Sequence, residues 1–147
     1  MTQLLNDDIQ KQVREALAPM KEPVHVLFFG SKQNCDYCDD TRQLLEEVTA
    51  LSDKLSLSVH DIDADASLAA QHNVDKTPGL VIAAKDGETI TDYGIRFAGI
   101  PAGHEFSSLI QDFLIVSVRD SGLSAVTREQ LKSLQTPVLL QVFATPT

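Results

Sequence analysis

Cys35 and Cys38 are the only two cysteines among 147 residues, and both lie in the stretch QNCDYCDDTR. A thiol attacks a disulfide only as its thiolate, so a redox cysteine needs its charge stabilised. The unpaired N–H groups and the positive macrodipole end of a helix N-terminus do this. A two-residue spacer lets the sulfurs bond without unwinding the helix. Cys35 then reads as the exposed nucleophile and Cys38 as the buried resolving thiol. Lys32 favours the thiolate, whereas Asp36, Asp39 and Asp40 oppose it, because carboxylates raise a nearby thiol's pKa. That conflict predicts a pair less oxidising than a proline-bearing spacer gives. Tyr37, between the cysteines, is a candidate for shaping substrate access, though filling the loop explains it as well.

The thiols must be held by the elements around them. VHVLFFG (24–30) is a continuous apolar run of strand length, which fits a central strand covered on both faces. After the loop SKQN, Cys35 falls at a helix N-terminus and Cys38 in its first turn. Leu44, Leu45, Val48 and Leu51 mark that helix's apolar face, with Glu46 and Glu47 turned to water. Leu5, Ile9, Val13 and Leu17 predict an earlier amphipathic helix ending before Pro19. Leu55, Leu57 and Val59 alternate with serines in a second strand. DADASLAAQHN predicts a short helix capped by Asp63 or Asp65. LVIAA and TDYGIRFAG form a hairpin around DGE, and HEFSSLIQDFLIVSV predicts a helix buried through Phe106, Leu109, Ile110, Phe113 and Leu114. The first strand–helix–strand unit implies a parallel pair, and the hairpin adds antiparallel strands. The fold class is therefore α/β, a central mixed sheet flanked by helices.

Thr77-Pro78 stands before the third strand, where proline avoids the cost it has inside a central strand. As a cis peptide it would leave the Thr77 N–H and C=O free for an incoming peptide, making Thr77 and Pro78 candidate substrate-binding residues. An ordinary trans proline starting the strand fits the spacing too.

A net charge of −9 with twelve scattered basic residues opposes nucleic-acid binding. The start MTQLLNDDIQKQVREAL lacks the charged-then-apolar order of a secretory signal, and no apolar run approaches a membrane span. A cytoplasmic location and no membrane partner are expected. In a reducing compartment two cysteines do not form a structural disulfide framework. Near the end, TPVLLQVFATPT reads as an apolar strand and echoes EPVHVLFFGSK, each following an amphipathic helix. This predicts a repeat, with residues 1–118 forming one unit and residues 119–147 the start of a second, cut off after its first strand.

Cys-x-x-Cys after the first strand, with Thr77-Pro78 before the third, resembles the thioredoxin/glutaredoxin superfamily. The pieces CDYCDD, LSDKLS, KTPGLVI, GIRFAGIPAGHEF and VFATPT look more closely like the N-terminal half of the glutaredoxin-like protein disulfide oxidoreductases, a two-unit family. LSDKLS and RFAGIPAGHEF also look like the N-terminal domain of the flavoprotein subunit of alkyl hydroperoxide reductase, whose first unit has lost its cysteines. The resemblance implies Cys35 as nucleophile, Cys38 as resolving thiol and Pro78 as a cis-proline. It also implies protein dithiol or disulfide substrates, a flavin-dependent thioredoxin reductase-like donor, and a second unit whose own motif follows VFATPT and does most of the redox work. One departure concerns the proton of Cys38. Thioredoxins place a buried aspartate in the strand before the motif, whereas VHVLFF offers only His25.

No cofactor is expected, since the pair itself carries two electrons. His104 reads as a capping or packing residue, and His60 and His72 as surface residues. Together with two cysteines they offer zinc no recognisable second ligand pair. Two other readings stay open. The unit is a non-catalytic packing half with a structural or vestigial pair, or a soft-metal carrier holding Cu(I) between two thiolates.

Overall fold

The strand buried on both faces is the one that precedes the cysteines. In the computed structural model, which describes residues 3–145, β1 (Val24–Gly30) is buried at every position except the half-buried His25. It pairs in parallel with β2 (Leu55–Asp61), Val24 opposite Leu55 and Gly30 opposite Asp61. On its other side it pairs antiparallel with β3 (Gly79–Asp86), Val24 opposite Ala84 and Phe29 opposite Gly79. β4 (Thr89–Ala98) adds an antiparallel edge, so the strand order is β2-β1-β3-β4.

Because side chains alternate across a strand, β1 and β3 supply two cores. Val24, Val26, Phe28, Leu80, Ile82 and Ala84 face α1 (Asp7–Leu17), α2 (Cys38–Thr49) and α4 (His104–Val118), which contribute Leu17, Leu45, Leu109 and Phe113 among others. Leu27, Phe29, Val81 and Ala83 face α3 (Ala66–Gln71) through Ala69. The helices expected from periodicity are all present. Asp65 takes the N-cap position of α3, but its carboxylate accepts the Asp61 N–H at 3.1 Å instead of capping.

Polar side chains lock this frame. The Ser117 hydroxyl accepts the N–H groups of Lys21 (2.8 Å) and Glu22 (3.0 Å) and donates to the Glu22 carbonyl, so the end of α4 holds the entry into β1. Arg119 donates to the carbonyls of Val116 and Pro23 and to Asp86 Oδ1, joining the end of α4 to the β3–β4 turn. Glu47 departs from expectation. It is half-buried, and its carboxylate accepts the N–H groups of Leu4 and Leu5, which pins the segment before α1 onto α2.

The histidines correct the sequence reading further. His72 is buried, and its Nδ1 lies 2.6 Å from Asp92 Oδ2, while its carbonyl accepts Arg96 Nε–H. Arg96 also donates from both terminal nitrogens to Asp92. Asp92 sits where β4 bulges. Ile82 pairs with Ile95 but Ala83 with Asp92, so Tyr93 and Gly94 are inserted, and Gly94 takes the φ of +91° that the kink requires. His60 is half-buried and stacks on Phe29 at 5.2 Å. Packing at the ends of β2 and α3 encloses both rings, which linear spacing does not reveal.

After α4, α5 (Ala125–Lys132) is N-capped by Ser124, whose side chain accepts the Thr127 N–H, and none of its residues is buried. The strand expected over TPVLLQVFATPT is not formed. Residues 136–145 have no ladder partner, and Val138, Leu139, Leu140, Val142 and Phe143 are 62–90% exposed. A strand is a paired state, and β-propensity without a partner does not make one. The final two residues of that segment lie outside the described ones. Among the described residues, no helix is long and apolar enough to cross a membrane.

Burial raises the pKa of Asp92, but hydrogen bonds from Arg96, His72 and the Gly94 N–H outweigh it and hold the carboxyl well below the usual carboxylate range. A depressed folded pKa contributes stability above the unfolded value of about 3.9, and that stability is lost as pH falls toward the folded value. Asp92→Asn is expected to lower stability by about 2 kcal/mol at neutral pH. It should also flatten the loss of Tm between neutral and strongly acid pH, as read by thermal denaturation across that range.

Candidate active site

Both cysteines lie at the C-terminal end of β1, where the chain leaves the sheet and turns into α2. Cys38 is the first residue of α2, and Tyr37, 58% exposed, occupies the N-cap position without a side-chain capping bond. Cys35 therefore lies in the turn before the helix, one step further out than its spacing suggested. The two sulfurs are joined in a disulfide with a Cα–Cα distance of 5.5 Å. Cys35 is half-buried, whereas Cys38 is 6% exposed and belongs to the core cluster.

The turn is held from two sides. Thr41, fully buried, donates its backbone N–H (2.9 Å) and its hydroxyl (2.6 Å) to the Tyr37 carbonyl, fixing the first turn of α2. From the strand side, the Ser31 N–H reaches Cys38 Sγ at 3.4 Å. A Cβ on Gly30 would sit 3.6 Å from the same sulfur, so the strand end passes directly beneath it.

Thr77–Pro78 is a cis peptide. Phe29 pairs with Gly79, and Gly30 lies beneath Cys38 Sγ, so the Thr77–Pro78 turn and the thiols sit at the same end of the sheet. Pro78 is buried, and its carbonyl accepts the Gly99 N–H at 2.8 Å, which fastens this turn to the end of β4. Thr77 is half-buried, and no other described residue engages its backbone in a hydrogen bond. Gly79 leaves no room for a side chain, because a Cβ there would lie 2.6 Å from the Lys76 carbonyl oxygen and 2.7 Å from Val74 Cγ1. KTPG is thus one close-packed turn, and its glycine is a site residue that the motif alone did not single out.

Charge is arranged differently from the linear order. Lys32 lines an open groove of about 250 Å³ with Cys38, Asp39, Val59, His60 and Asp61, on the β2 side of the buried sulfur. The N–H groups of Ala64 and Asp63, then the Lys32 charge, hold Asp61 below the usual carboxylate range. Lys32 thus acts on the Cys38 side of the pair. His25 does not face the motif. It alternates with Val24 and Val26 onto the opposite sheet face, where Ser56 and Ser58 bind its ring nitrogens at 2.7 and 2.9 Å. Burial first, then the charges of Lys85 and His60, push its imidazolium down. His104 is exposed at the first position of α4, with Gly103 as the N-cap. Among the described residues, no group of three or more His, Cys, Asp or Glu side chains is arranged to hold a metal ion.

Known proteins resemble this chain in sequence and in fold. The alkyl hydroperoxide reductase protein AhpF of Staphylococcus aureus is 32% identical over 132 residues, which cover 90% of this chain and 22% of that protein. The crystal structure of a protein disulfide oxidoreductase from Aeropyrum pernix superposes with a TM-score of 0.75 at 34% identity, covering 88% of this chain and 55% of the other. The chain is a homologue of both. The N-terminal domain of AhpF from Enterococcus faecalis has the same fold, with a TM-score of 0.75 at 23% identity over 86% of this chain and 59% of that one. A Trichomonas vaginalis thioredoxin shares the fold at a TM-score of 0.51 and 19% identity, covering 73% and 89% of the two chains. The fold is thioredoxin-like, and the chain is a redox domain with a Cys-x-x-Cys disulfide. It spans about a fifth of the staphylococcal relative and a little over half of the archaeal one. No protein-family model matches it.

Gly79→Ala forces backbone against backbone at the cis-proline turn. It is expected to cost roughly 1–3 kcal/mol of stability and to slow thiol–disulfide exchange at Cys35. Thermal unfolding and the reaction rate with a small aromatic disulfide check both.

Proposed function

We propose that this domain exchanges the Cys35–Cys38 dithiol/disulfide with protein substrates. The observation that carries the reading is the asymmetry of the pair, a half-buried sulfur in the turn before α2 joined to a buried one at its first residue. In the reducing direction the Cys35 thiolate attacks one sulfur of a substrate disulfide, forming a mixed disulfide and releasing one substrate thiolate. Cys38 gives its proton to water in the groove it shares with Lys32 and attacks Cys35 Sγ. The second substrate thiolate leaves, and two electrons have moved from the pair to the substrate. Thr77 offers its free backbone to the substrate chain, Pro78 sets the floor at the same end of the sheet, and the exposed Tyr37 borders the approach.

Homology to a component of alkyl hydroperoxide reductase supports a reductase context, and the donor we propose is a flavin-dependent, thioredoxin reductase-like protein. Residues 119–147 are proposed to begin a second unit. Support comes from the isolated, N-capped α5 and from the unpaired apolar segment behind it. That exposed segment also favours a packing role toward another unit, alongside the redox role.

The test is the reduction potential of the pair, read by equilibration in graded thiol buffers, alkylation and mass counting. A reversible transition in the range of roughly −180 to −270 mV is expected. A value below about −300 mV, typical of structural disulfides, overturns the proposal. In parallel, Cys38→Ser should accumulate a mixed disulfide through Cys35, whereas Cys35→Ser should trap none.

A further inference from the structure

Between α1, α2 and the start of α4 lies a groove that the exchange chemistry does not use. It measures about 430 Å³, and its walls come from three parts of the chain: Leu4 and Ile9 around the start of α1, Leu44 on α2, and Ile100 with Phe106 in the passage from β4 into α4. The passage leaves β4 at the same sheet end as the active turn, since Ala98 pairs with Gly79 and Gly99 binds Pro78. Asp40, two residues beyond Cys38, forms part of the wall. Leu44 stands six residues beyond Cys38 on the same helix, and Leu4 and Ile9 remain 44% and 36% exposed on the groove.

Carboxylates predominate around it. Asp40 is in the wall itself, and Asp7, Asp8 and Glu105, all exposed, are sequence neighbours of the lining residues Leu5, Ile9, Gly103 and Phe106. Against these stand Lys11 on the next turn of α1 and His104 at the start of α4. Carboxylates around an apolar floor repel acidic segments and attract basic ones. Glu47 strengthens the design, because its carboxylate holds the Leu4 and Leu5 N–H groups and so keeps the α1 side of the groove in place.

We propose that this groove selects the substrate: it seats an apolar side chain flanked by lysine or arginine on the protein segment that brings its disulfide to Cys35. The proposal rests on the oxidoreductase reading and assigns its substrate class. The reaction is the balanced exchange given above, with a chemical dithiol regenerating the reduced pair between turnovers.

The experiment compares reduction of three fluorescent disulfide peptides by the full chain, with leucine between lysines, leucine between glutamates, and serine between lysines, alongside a small aromatic disulfide. The leucine–lysine peptide should show a kcat/KM about tenfold above either of the others, and its advantage over the glutamate peptide should shrink as salt is raised. The double variant Leu4→Gln, Ile9→Gln changes only exposed side chains; it should erase the leucine preference and leave the small disulfide's rate unchanged. Equal rates for all three peptides, or a preference the variant does not alter, overturn the groove proposal while leaving the oxidoreductase reading intact. Failure to reduce even the small disulfide overturns both. If peptide rates per molecule fall with protein concentration and the variant relieves that fall, the groove holds a second copy of the chain, and the substrate proposal is wrong.

Discussion

The pairing of β1 with β3 places the chemistry. β1 is buried on both faces, so its register is set by two hydrophobic cores at once, and a slip of one residue would exchange the side chains packed into them. With Phe29 opposite Gly79, two turns distant in sequence meet at one sheet end, the first carrying the thiols and the second the cis-proline. Neither turn has a site of its own. The site exists because the ladder ends at the same level on both strands, and because Gly79 lets the second turn close against Val74 and Lys76.

Around that ladder the stabilising polar contacts do two separate jobs. Ser117 and Arg119 close the end of the sheet opposite the thiols, where the entry to β1 and the β3–β4 turn meet the last turn of α4. The His72–Asp92–Arg96 cluster holds the bulge of β4 against the end of α3. These side chains satisfy backbone groups at irregular places, where a missing partner costs more than an average hydrogen bond contributes. The turn that carries the cysteines is held by comparatively few side-chain bonds, those of Thr41 and of the Ser31 N–H to Cys38 Sγ.

Electrostatics around the pair also depends on the fold. Asp39 and Asp40 complement the dipole of α2 while opposing a nearby thiolate, and Lys32 shares with Asp61 the groove on the Cys38 side. Asp40 meets Leu4 and Ile9 in the wall of one apolar groove because the segment before α1 is pinned to α2. A net charge of −9 does not by itself show where on the fold those charges lie.

Local physics made much of this legible in the sequence. The apolar run of β1, the four-residue period of α1, the DGE turn and the Cys-x-x-Cys spacing each express a constraint that neighbouring residues impose on one another, and the mixed α/β fold follows from their order. The exposure contrast between Cys35 and Cys38 was legible too, because a helix start has a solvent side and a core side. What the sequence did not disclose depends on partners remote along the chain. His25 turned away from the thiols because strand parity is counted from a core that only the folded sheet defines. His72 was buried by an aspartate and an arginine on another strand, Glu47 was drawn in by two N–H groups from the N-terminal segment, and the apolar tail stayed unpaired because propensity does not supply a neighbouring strand. Tertiary structure decided these points, since burial and ion pairing belong to two surfaces in contact rather than to either segment alone.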